Sequence, residues 1–322
     1  MNKKNKTIIQ ILIILAVFVS FLICIFFISK KDKIYTKDCY CFDTYVSITV
    51  YKNKDEKYLD DCIRLCEKYD KLFGKNNEGS DIYNINSSNG EEVTVDDETF
   101  YLLKRSLEFC EETDGAVDIT VAPLTDIWGF NHKGNEISVT KKPEDNEISD
   151  ALRVVDYKKV ILKEPDTVKL EDPEARIDLG FIAKGYIADK LKEYLVSNGV
   201  ESAIISLGGN IVVIGSKPDK TDYNIGIKDP DNTGDIINSI KVSNRSVVTS
   251  GTYERFVEYD GVRYHHILDT KTGYPVNNGI KSVTILSDSS LEGDALSTVC
   301  LILGEERSKD ILKKYNAEAI FY

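Results

Sequence analysis

The segment Arg176–Asp189, with the sequence RIDLGFIAKGYIAD, constrains the fold of this chain most strongly. Apolar residues recur at helical spacing from Ile182 onward and Gly199 ends the run, so a helix is predicted to begin in the turn Gly180–Gly185. The free amides and positive dipole end of a helix N-terminus suit a ligand that carries phosphate. Taken alone, the two glycines are explained as simply by a tight turn that binds nothing.

The composition is that of a globular protein with an acidic surface. The 322 residues are 42% hydrophobic, which is enough to bury one large core or two modest ones. The formal net charge of −12, with Lys and Arg scattered along the chain, argues against a nucleic-acid partner, because a polyanion needs a basic face.

The N-terminus has the pattern of a membrane segment. Residues 8–29 are almost wholly apolar, are flanked by lysines on both sides, and are long enough to cross a bilayer. We therefore predict a cytoplasmic N-terminus (1–7), a transmembrane anchor or signal segment (8–29), a linker (30–40) and a folded domain (41–322) outside the cytoplasm. Lipidation at Cys24 is the alternative, although the bulky Ile23 is a poor residue before such a cleavage site.

Seven cysteines do not form the dense pattern of a disulfide-rich protein. Cys62 and Cys66 are spaced to lie on one helical face among apolar residues, which favours buried packing over metal binding. Cys39 and Cys41 are too close in sequence to form an easy mutual disulfide.

Strands and helices alternate irregularly, and several strands are linked as hairpins, which indicates an α+β fold with mixed, largely antiparallel sheets and flanking helices. Asp260-Gly261 between two strand patterns gives the strongest hairpin signal, because Asp-Gly favours a type I′ turn. The stretch 114–130 is too apolar for a solvated loop and too broken by Gly and Pro for a regular element, so it is expected to line a site.

The remaining elements are predicted from apolar periodicity and turn residues. Helices are predicted at 59–73, 98–112 and 291–303, a loop at 74–90 and a surface excursion at 133–150. Strands are predicted at 41–51, 203–207, 211–215, 223–228, 240–248, 282–286 and 317–322, with two more within 157–170.

Asp294, Ser297 and Thr298 are predicted to share one face of a helix, because residues three and four apart are neighbours there. Three oxygen side chains in one place suit a hard cation such as Mg²⁺. The alternative is that the two hydroxyls bond back to carbonyls of their own helix.

Two adjacent histidines complete the candidate chemistry. His265 and His266 face opposite sides if they lie on a strand, so at most one of them enters a given pocket. His266, close to Asp269, is the candidate for acid–base work near neutral pH, and His265 is expected to be solvated. The motifs of P-loop NTPases, serine hydrolases and zinc proteases are missing from the sequence.

Six blocks taken in order resemble the ApbE family of flavin transferases, the FAD:protein FMN transferases, from about Cys41 to the C-terminus. The blocks are DGAVDITVAPL (114–124) with WGF (128–130), IDLG (177–180) with IAKGY (182–186), LGGN (207–210), TSG (249–251), His266 with Asp269 and TG (272–273), and DALST (294–298).

The resemblance implies a T-fold-like catalytic domain, FAD as substrate and Mg²⁺ as cofactor. It implies that Mg²⁺ is held by the carbonyl of Phe181 and the side chains of Asp294, Thr298 and, less uniformly, Ser297. His266 and Asp294 would be the catalytic residues. The positions implied for FAD are Phe42, Asn76, Ala116, Val117, Asp118, Asp178, Lys184 and Leu268.

Two positions depart from the pattern of the family. Many members have methionine where Phe42 stands and a tyrosine where Asn76 stands, and loss of an aromatic stack of about 0.5–1.5 kcal/mol should weaken FAD retention. The implied reaction is Mg²⁺-dependent transfer of FMN to a Thr or Ser hydroxyl of exported or membrane-complex flavoproteins, with release of AMP. Hydrolysis of FAD to FMN and AMP, or FAD binding without turnover, are the alternatives.

Overall fold

The computed structural model describes residues 12–20, 32–130 and 141–322. Residues 12–20 are helical, and most of the predicted membrane segment, with Cys24, lies outside the described residues, as does His132. No helix within the described ranges is both long and apolar enough to cross a membrane.

Eight further helices lie in the described part of the chain. They are α1 (Leu59–Phe73), α2 (Asp81–Asn86), α3 (Asp97–Glu112), α4 (Ala122–Ile127), α5 (Asp145–Leu152), α6 (Ala183–Ser197), α7 (Ser290–Leu303) and α8 (Glu305–Lys314), with 3₁₀ turns at Asn53–Tyr58 and Tyr157–Lys159.

Fourteen strands are described. They are β1 (Tyr35–Cys41), β2 (Thr44–Val50), β3 (Val93–Thr94), β4 (Val160–Lys163), β5 (Thr167–Leu170), β6 (Ala203–Leu207), β7 (Asn210–Ile214), β8 (Tyr223–Lys228), β9 (Ile236–Val242), β10 (Ser246–Gly251), β11 (Phe256–Tyr259), β12 (Val262–His265), β13 (Ser282–Ser287) and β14 (Glu318–Phe321).

The central sheet has seven strands in the order β1-β2-β6-β7-β10-β13-β14, and every neighbouring pair is antiparallel. Alternate residues such as Val46, Ile48 and Ile205 point to one face, where α1, α6 and α7 cover them. The β8–β9 hairpin packs on the opposite face through Tyr223 and Ile225. Helices on one face and a hairpin on the other leave one end of the sheet open for a cavity.

Two satellite units flank this sheet. The β3-β5-β4 sheet lies near α2, and the β11–β12 hairpin contributes Val257 to a second apolar cluster around Trp128. The indole N–H of Trp128 donates to the carbonyl of Gly273 at 2.8 Å. The predicted Asp260-Gly261 turn is confirmed, since both residues have positive φ (51° and 76°), as a type I′ turn requires.

Several predicted elements have other boundaries in the structure. Most of the strand predicted at 41–51 is observed as β2. Phe42 and Asp43 take positive φ (57° and 54°) and turn the chain, so Cys41 belongs to β1, which occupies most of the predicted linker. The strand predicted at 240–248 is likewise divided between β9 and β10 by a turn at Asn244, whose φ is 49°. Both turns lack glycine and proline, the strongest turn signals, and contain only the weaker turn formers Asp43 and Asn244.

Two further predictions missed short helices. The loop predicted at 74–90 contains α2, whose first turn is capped by the Ser80 hydroxyl accepting from the N–H of Tyr83 at 3.0 Å. The excursion predicted at 133–150 runs into α5, which buries Ile148 against the cluster around Trp128. Each helix is too short for its apolar spacing to show clearly.

Candidate active site

One cavity of about 740 Å³ lies at the open end of the central sheet. Its walls are the β1–β2 and β6–β7 turns, the start of α6, the β8–β9 hairpin and the segment 114–130, which confirms that this segment lines a site. The cavity brings together nine of the residues proposed from the sequence: Ala116, Val117, Asp118, Asp178, Phe181, Lys184, His266, Leu268 and Thr298.

Asp294 lies in α7, close to the cavity but not among the residues that line it, and faces the first turn of α6. Its side chain is buried, and its Oδ2 accepts a hydrogen bond from the backbone N–H of Gly185 at 2.8 Å. The Lys184 ammonium is 3.9 Å from Oδ1 and donates to the carbonyl of Gly180 at 3.1 Å. Burial raises the pKa of Asp294, although Lys184 and the Gly185 amide act in the opposite direction. The negative charge is therefore only partly compensated by the protein.

Gly185 allows the two helices to approach closely enough for this contact. A Cβ at that position would lie 2.1 Å from the carbonyl oxygen of Ser290 and 2.7 Å from the Cβ of Asp294. Only glycine fits, which gives the second glycine of the sequence segment a packing role.

Three hydroxyls lie beside Asp294. The Ser297 hydroxyl is fully buried and donates to the carbonyl of Asp294 at 2.8 Å, as the alternative interpretation of the sequence expected. The Ser250 hydroxyl lies 2.6 Å from that of Ser297 and 3.4 Å from that of Thr298. Thr298 is the member of this group that lines the cavity.

Asp178 is held by a lysine that the sequence did not single out. The Lys75 ammonium lies 2.5 Å from Oδ2 of Asp178, and Oδ1 accepts from the N–H of Gly180 at 2.7 Å. Burial alone would raise the pKa of Asp178, but Lys75 and the amide outweigh burial and lower it. Lys75 is 103 residues away along the chain, so no sequence spacing could have indicated the pair.

We expect Lys75→Met to destabilise the protein by about 2 kcal/mol at neutral pH, because it leaves the Asp178 carboxylate unpaired. The wild-type pair stabilises the fold above the unfolded pKa of Asp and stops doing so as the pH falls through the lower folded pKa. In the variant, burial without Lys75 raises the pKa of Asp178, so this carboxylate takes up a proton at a higher pH than in wild type. The deficit of the variant should therefore shrink between about pH 7 and about pH 4, which urea unfolding at both pH values measures. Lys104→Met removes an exposed pair with Glu164 and serves as the matched control, with an expected effect below about 0.5 kcal/mol.

Asp118 organises the segment that lines the cavity. Its Oδ1 accepts from the N–H and the hydroxyl of Thr120 at 2.8 and 2.6 Å, and its Oδ2 accepts from the N–H of Tyr157 at 2.9 Å. The Thr270 hydroxyl donates to the carbonyl of Gly115 at 2.6 Å. These bonds hold the irregular backbone of residues 114–121 in place. The rest of the segment was predicted to lack a regular element, but the short helix α4 forms there, with Pro123 in its first turn, where proline is tolerated.

His266 follows β12 and lines the cavity. Its Nδ1 is 3.1 Å from the carbonyl of Arg255, which only accepts, so Nδ1 carries the proton and Nε2 of the neutral ring is an acceptor. Burial and the Arg255 guanidinium lower the pKa of His266 to about 3. His265 is not solvated as expected, since it is half-buried with its Nε2 2.8 Å from the carbonyl of Val276.

The depressed pKa of His266 has a consequence for stability. Between the unfolded pKa of about 6.5 and the folded pKa, the unfolded chain binds more protons, so this residue lowers the free energy of unfolding as the pH falls. We expect the free energy of unfolding of wild type relative to His266→Gln to decrease between about pH 7 and about pH 5. Urea unfolding of both proteins measures this, and a constant difference would contradict it.

The profile of the ApbE family matches residues 42–321. The chain belongs to the ApbE family. FAD:protein FMN transferases of Treponema pallidum (strain Nichols) and Klebsiella pneumoniae (strain 342) are both 34% identical to it. The first match spans 282 residues, 82% of this chain and 76% of that protein, and the second spans 296 residues, 91% and 90%.

Solved structures of ApbE proteins have the same fold. The crystal structure of the ApbE protein from Thermotoga maritima has a TM-score of 0.81 at 34% identity and covers 90% of this chain and 94% of its own. The apo form of the flavinyl transferase ApbE from Pseudomonas stutzeri has a TM-score of 0.77 at 25% identity, covering 90% and 91%. The predicted fold class and family are therefore confirmed.

The donor set around Asp294 fits the Mg²⁺ that the ApbE resemblance implies. Within the described ranges, no cluster of three or more His, Cys, Asp or Glu side chains could hold a metal ion, so a cation here depends on other oxygen ligands as well. A buried carboxylate with incompletely compensated charge, next to a hydroxyl group at the cavity, is suited to a hard divalent cation.

Two residues that the ApbE resemblance assigns to FAD do not line the cavity. The Phe42 side chain packs on the main core, while its N–H donates to Asp70 at 3.1 Å and the following residues 43–45 form cavity wall. Asn76 is exposed in the turn after α1. Their roles in binding FAD stay predictions.

Proposed function

We propose that the chain transfers FMN from FAD to a Thr or Ser hydroxyl of an acceptor flavoprotein, forming a phosphoester and releasing AMP, with Mg²⁺ as cofactor. Membership of the ApbE family and the names of its relatives support the activity. The observation that carries the proposal is that Lys184, His266 and Thr298 line the same cavity and that Lys184 lies beside the buried Asp294.

In this proposal the chain positions the FAD pyrophosphate at the start of α6. Lys184 attracts the phosphates, and the helix dipole adds to the positive field there. Asp294, Thr298 and the carbonyl of Phe181 would hold Mg²⁺, which when bound neutralises charge on the pyrophosphate. The Ser250 hydroxyl, which contacts the hydroxyls of Ser297 and Thr298, would help to position Thr298.

His266 would act on the acceptor. Its Nε2 takes the proton of the Thr or Ser hydroxyl, whose oxygen then attacks the FMN-side phosphorus and displaces AMP. An imidazole with a pKa near 3 is a weak base, but an anionic pyrophosphate beside it would raise that pKa by stabilising the imidazolium. The hydrogen bond from Nδ1–H to the carbonyl of Arg255 leaves Nε2 as the ring nitrogen available to act as a base.

The decisive experiment is mass spectrometry of an acceptor domain incubated with the purified full chain, FAD and Mg²⁺. Transferase activity predicts a mass gain of one FMN, lost when EDTA is added or when the acceptor hydroxyl is removed. Release of FMN and AMP without a mass gain would favour FAD hydrolysis, for which the loss of an aromatic residue at Asn76 is the motivation. FAD that stays intact would favour a binding protein.

We also propose that residues 8–29 anchor the protein in the cell membrane with its domain outside the cytoplasm, with lipidation at Cys24 as the alternative. The apolar pattern and flanking lysines support the anchor. Protease accessibility in spheroplasts tests the orientation, and a mass increase by acyl chains on Cys24 would favour lipidation.

A further inference from the structure

Four cysteines lie on two elements that pack against each other, β1 and α1. Cys39 and Cys41 point to the same side of β1, and Cys62 and Cys66 are one helical turn apart in α1. The sulfurs of Cys39 and Cys41 are 3.7 Å apart, and all four side chains are free thiols. None of them lines the cavity, so the proposed flavin transfer leaves them without a role.

The four thiols differ in exposure. Cys62 and Cys66 are fully buried and Cys41 is 8% exposed, whereas Cys39 is half-buried. Burial raises the pKa of Cys41 and of Cys62 to about 12, and burial followed by the neighbouring Cys39 raises that of Cys66 as well. Because a reagent in solution must reach the sulfur that it attacks, Cys39, the most exposed of the four, is the expected point of entry.

We propose that Cys39 and Cys66 are an oxidative modification site, which a small disulfide such as oxidised glutathione converts to an intramolecular disulfide. The Cys39 thiolate attacks the reagent, forming a mixed disulfide and releasing one glutathione thiolate. The Cys66 sulfur, after losing its proton to that thiolate, attacks the Cys39 sulfur and releases the second glutathione. Two protein thiols are oxidised by two electrons, and one glutathione disulfide is reduced to two thiols.

Cys66 is the partner because of backbone geometry. Residues two apart in a strand have Cα atoms about 6.6–6.8 Å apart, at the upper limit for a disulfide, and Cys41 is held by the turn that follows it. Cys66 comes from another element, α1, which packs directly on β1, and it belongs to the core cluster against which Cys39 packs. A bond between them would link β1 to α1 instead of closing a strained ring within β1.

The disulfide would reinforce a junction that already exists. One turn beyond Cys66, the carboxylate of Asp70 accepts from the N–H of Phe42 at 3.1 Å and from the side-chain amide of Asn77 at 3.0 Å. The covalent link would join the β1–β2 turn to α1 directly beside these bonds. We expect the oxidised protein to unfold at a higher temperature, and a reductant to reverse the increase.

Peptide mapping of the full chain tests the assignment. After exposure to oxidised glutathione and blocking of free thiols, trypsin separates the cysteines into peptides 38–52, 58–64 and 65–68. We expect peptide 38–52 linked to 65–68, with the loss of two hydrogen atoms. An internal bond in 38–52, a link to 58–64, or thiols that stay fully reduced would overturn the proposal.

Three variants sharpen this result. Cys66→Ser should stop at a stable glutathione adduct on peptide 38–52, and Cys39→Ser should give neither adduct nor link. Cys62→Ser is the matched control from the same helix face and should keep the link. If Cys66→Ser carries no adduct while its circular dichroism matches that of wild type, Cys39 is not the point of entry and the proposal fails.

Discussion

Replacing Asp294 with asparagine should reduce FMN transfer by about 10²–10³-fold and leave the protein folded. The carboxamide keeps an oxygen for the N–H of Gly185 but loses the negative charge that we propose holds Mg²⁺. Because burial raises the pKa of Asp294, removing its charge should not lower the free energy of unfolding. Flavinylation rate and urea unfolding, measured on the same preparation, separate the two effects.

Asp189 provides the matched control for this variant. It also joins α6 to α7, but its oxygens accept from the N–H groups of Ser290 and Leu291 at 2.8 and 3.0 Å and so cap α7. Asp189→Asn should cost about 1 kcal/mol of stability and keep the activity of each folded molecule. Full activity in Asp294→Asn would remove this carboxylate from the proposed mechanism.

Gly185→Ala should be the most destabilising single-methyl substitution that we consider. The added Cβ would lie 2.1 Å from the carbonyl oxygen of Ser290, a backbone atom that cannot move aside as a flexible side chain could. The start of α6 must then move away from α7, at a cost of about 1–3 kcal/mol or more, and the bond from the Gly185 N–H to Asp294 is strained. Thermal unfolding and flavinylation should both show losses.

Gly199→Ala is the same substitution just beyond the C-terminus of the same helix. A Cβ there meets no atom within 4 Å, so the only cost is a φ of 75°, about 1–2 kcal/mol, and activity should be retained. Equal activity losses in the two variants would show that the close helix contact is not what Gly185 provides to the site.

Local patterns predicted the regular elements well where they were long. α1 was predicted at its observed bounds because Leu59, Cys62, Cys66 and Phe73 repeat at the spacing of one buried face. The helix predicted at 98–112 is α3, which begins one residue earlier and is capped by Asp96, whose side chain accepts from the N–H of Glu98 at 2.9 Å. The turns at Phe42-Asp43 and Asn244 were missed because residues other than glycine take positive φ there, which tertiary contacts such as that of Asp70 support.

By itself, the sequence determined the fold class, the helix that begins after Gly180, and the grouping of Asp294 with Thr298. Each of these depends on neighbours within a few residues, whose relative positions a helix or strand defines. Only the tertiary structure decided that Lys75 pairs with Asp178, that the Ser250 hydroxyl lies beside that of Ser297, and that β1 packs on α1. Those contacts join distant parts of the chain, and their geometry follows from how the helices pack on the sheet, which no local spacing encodes.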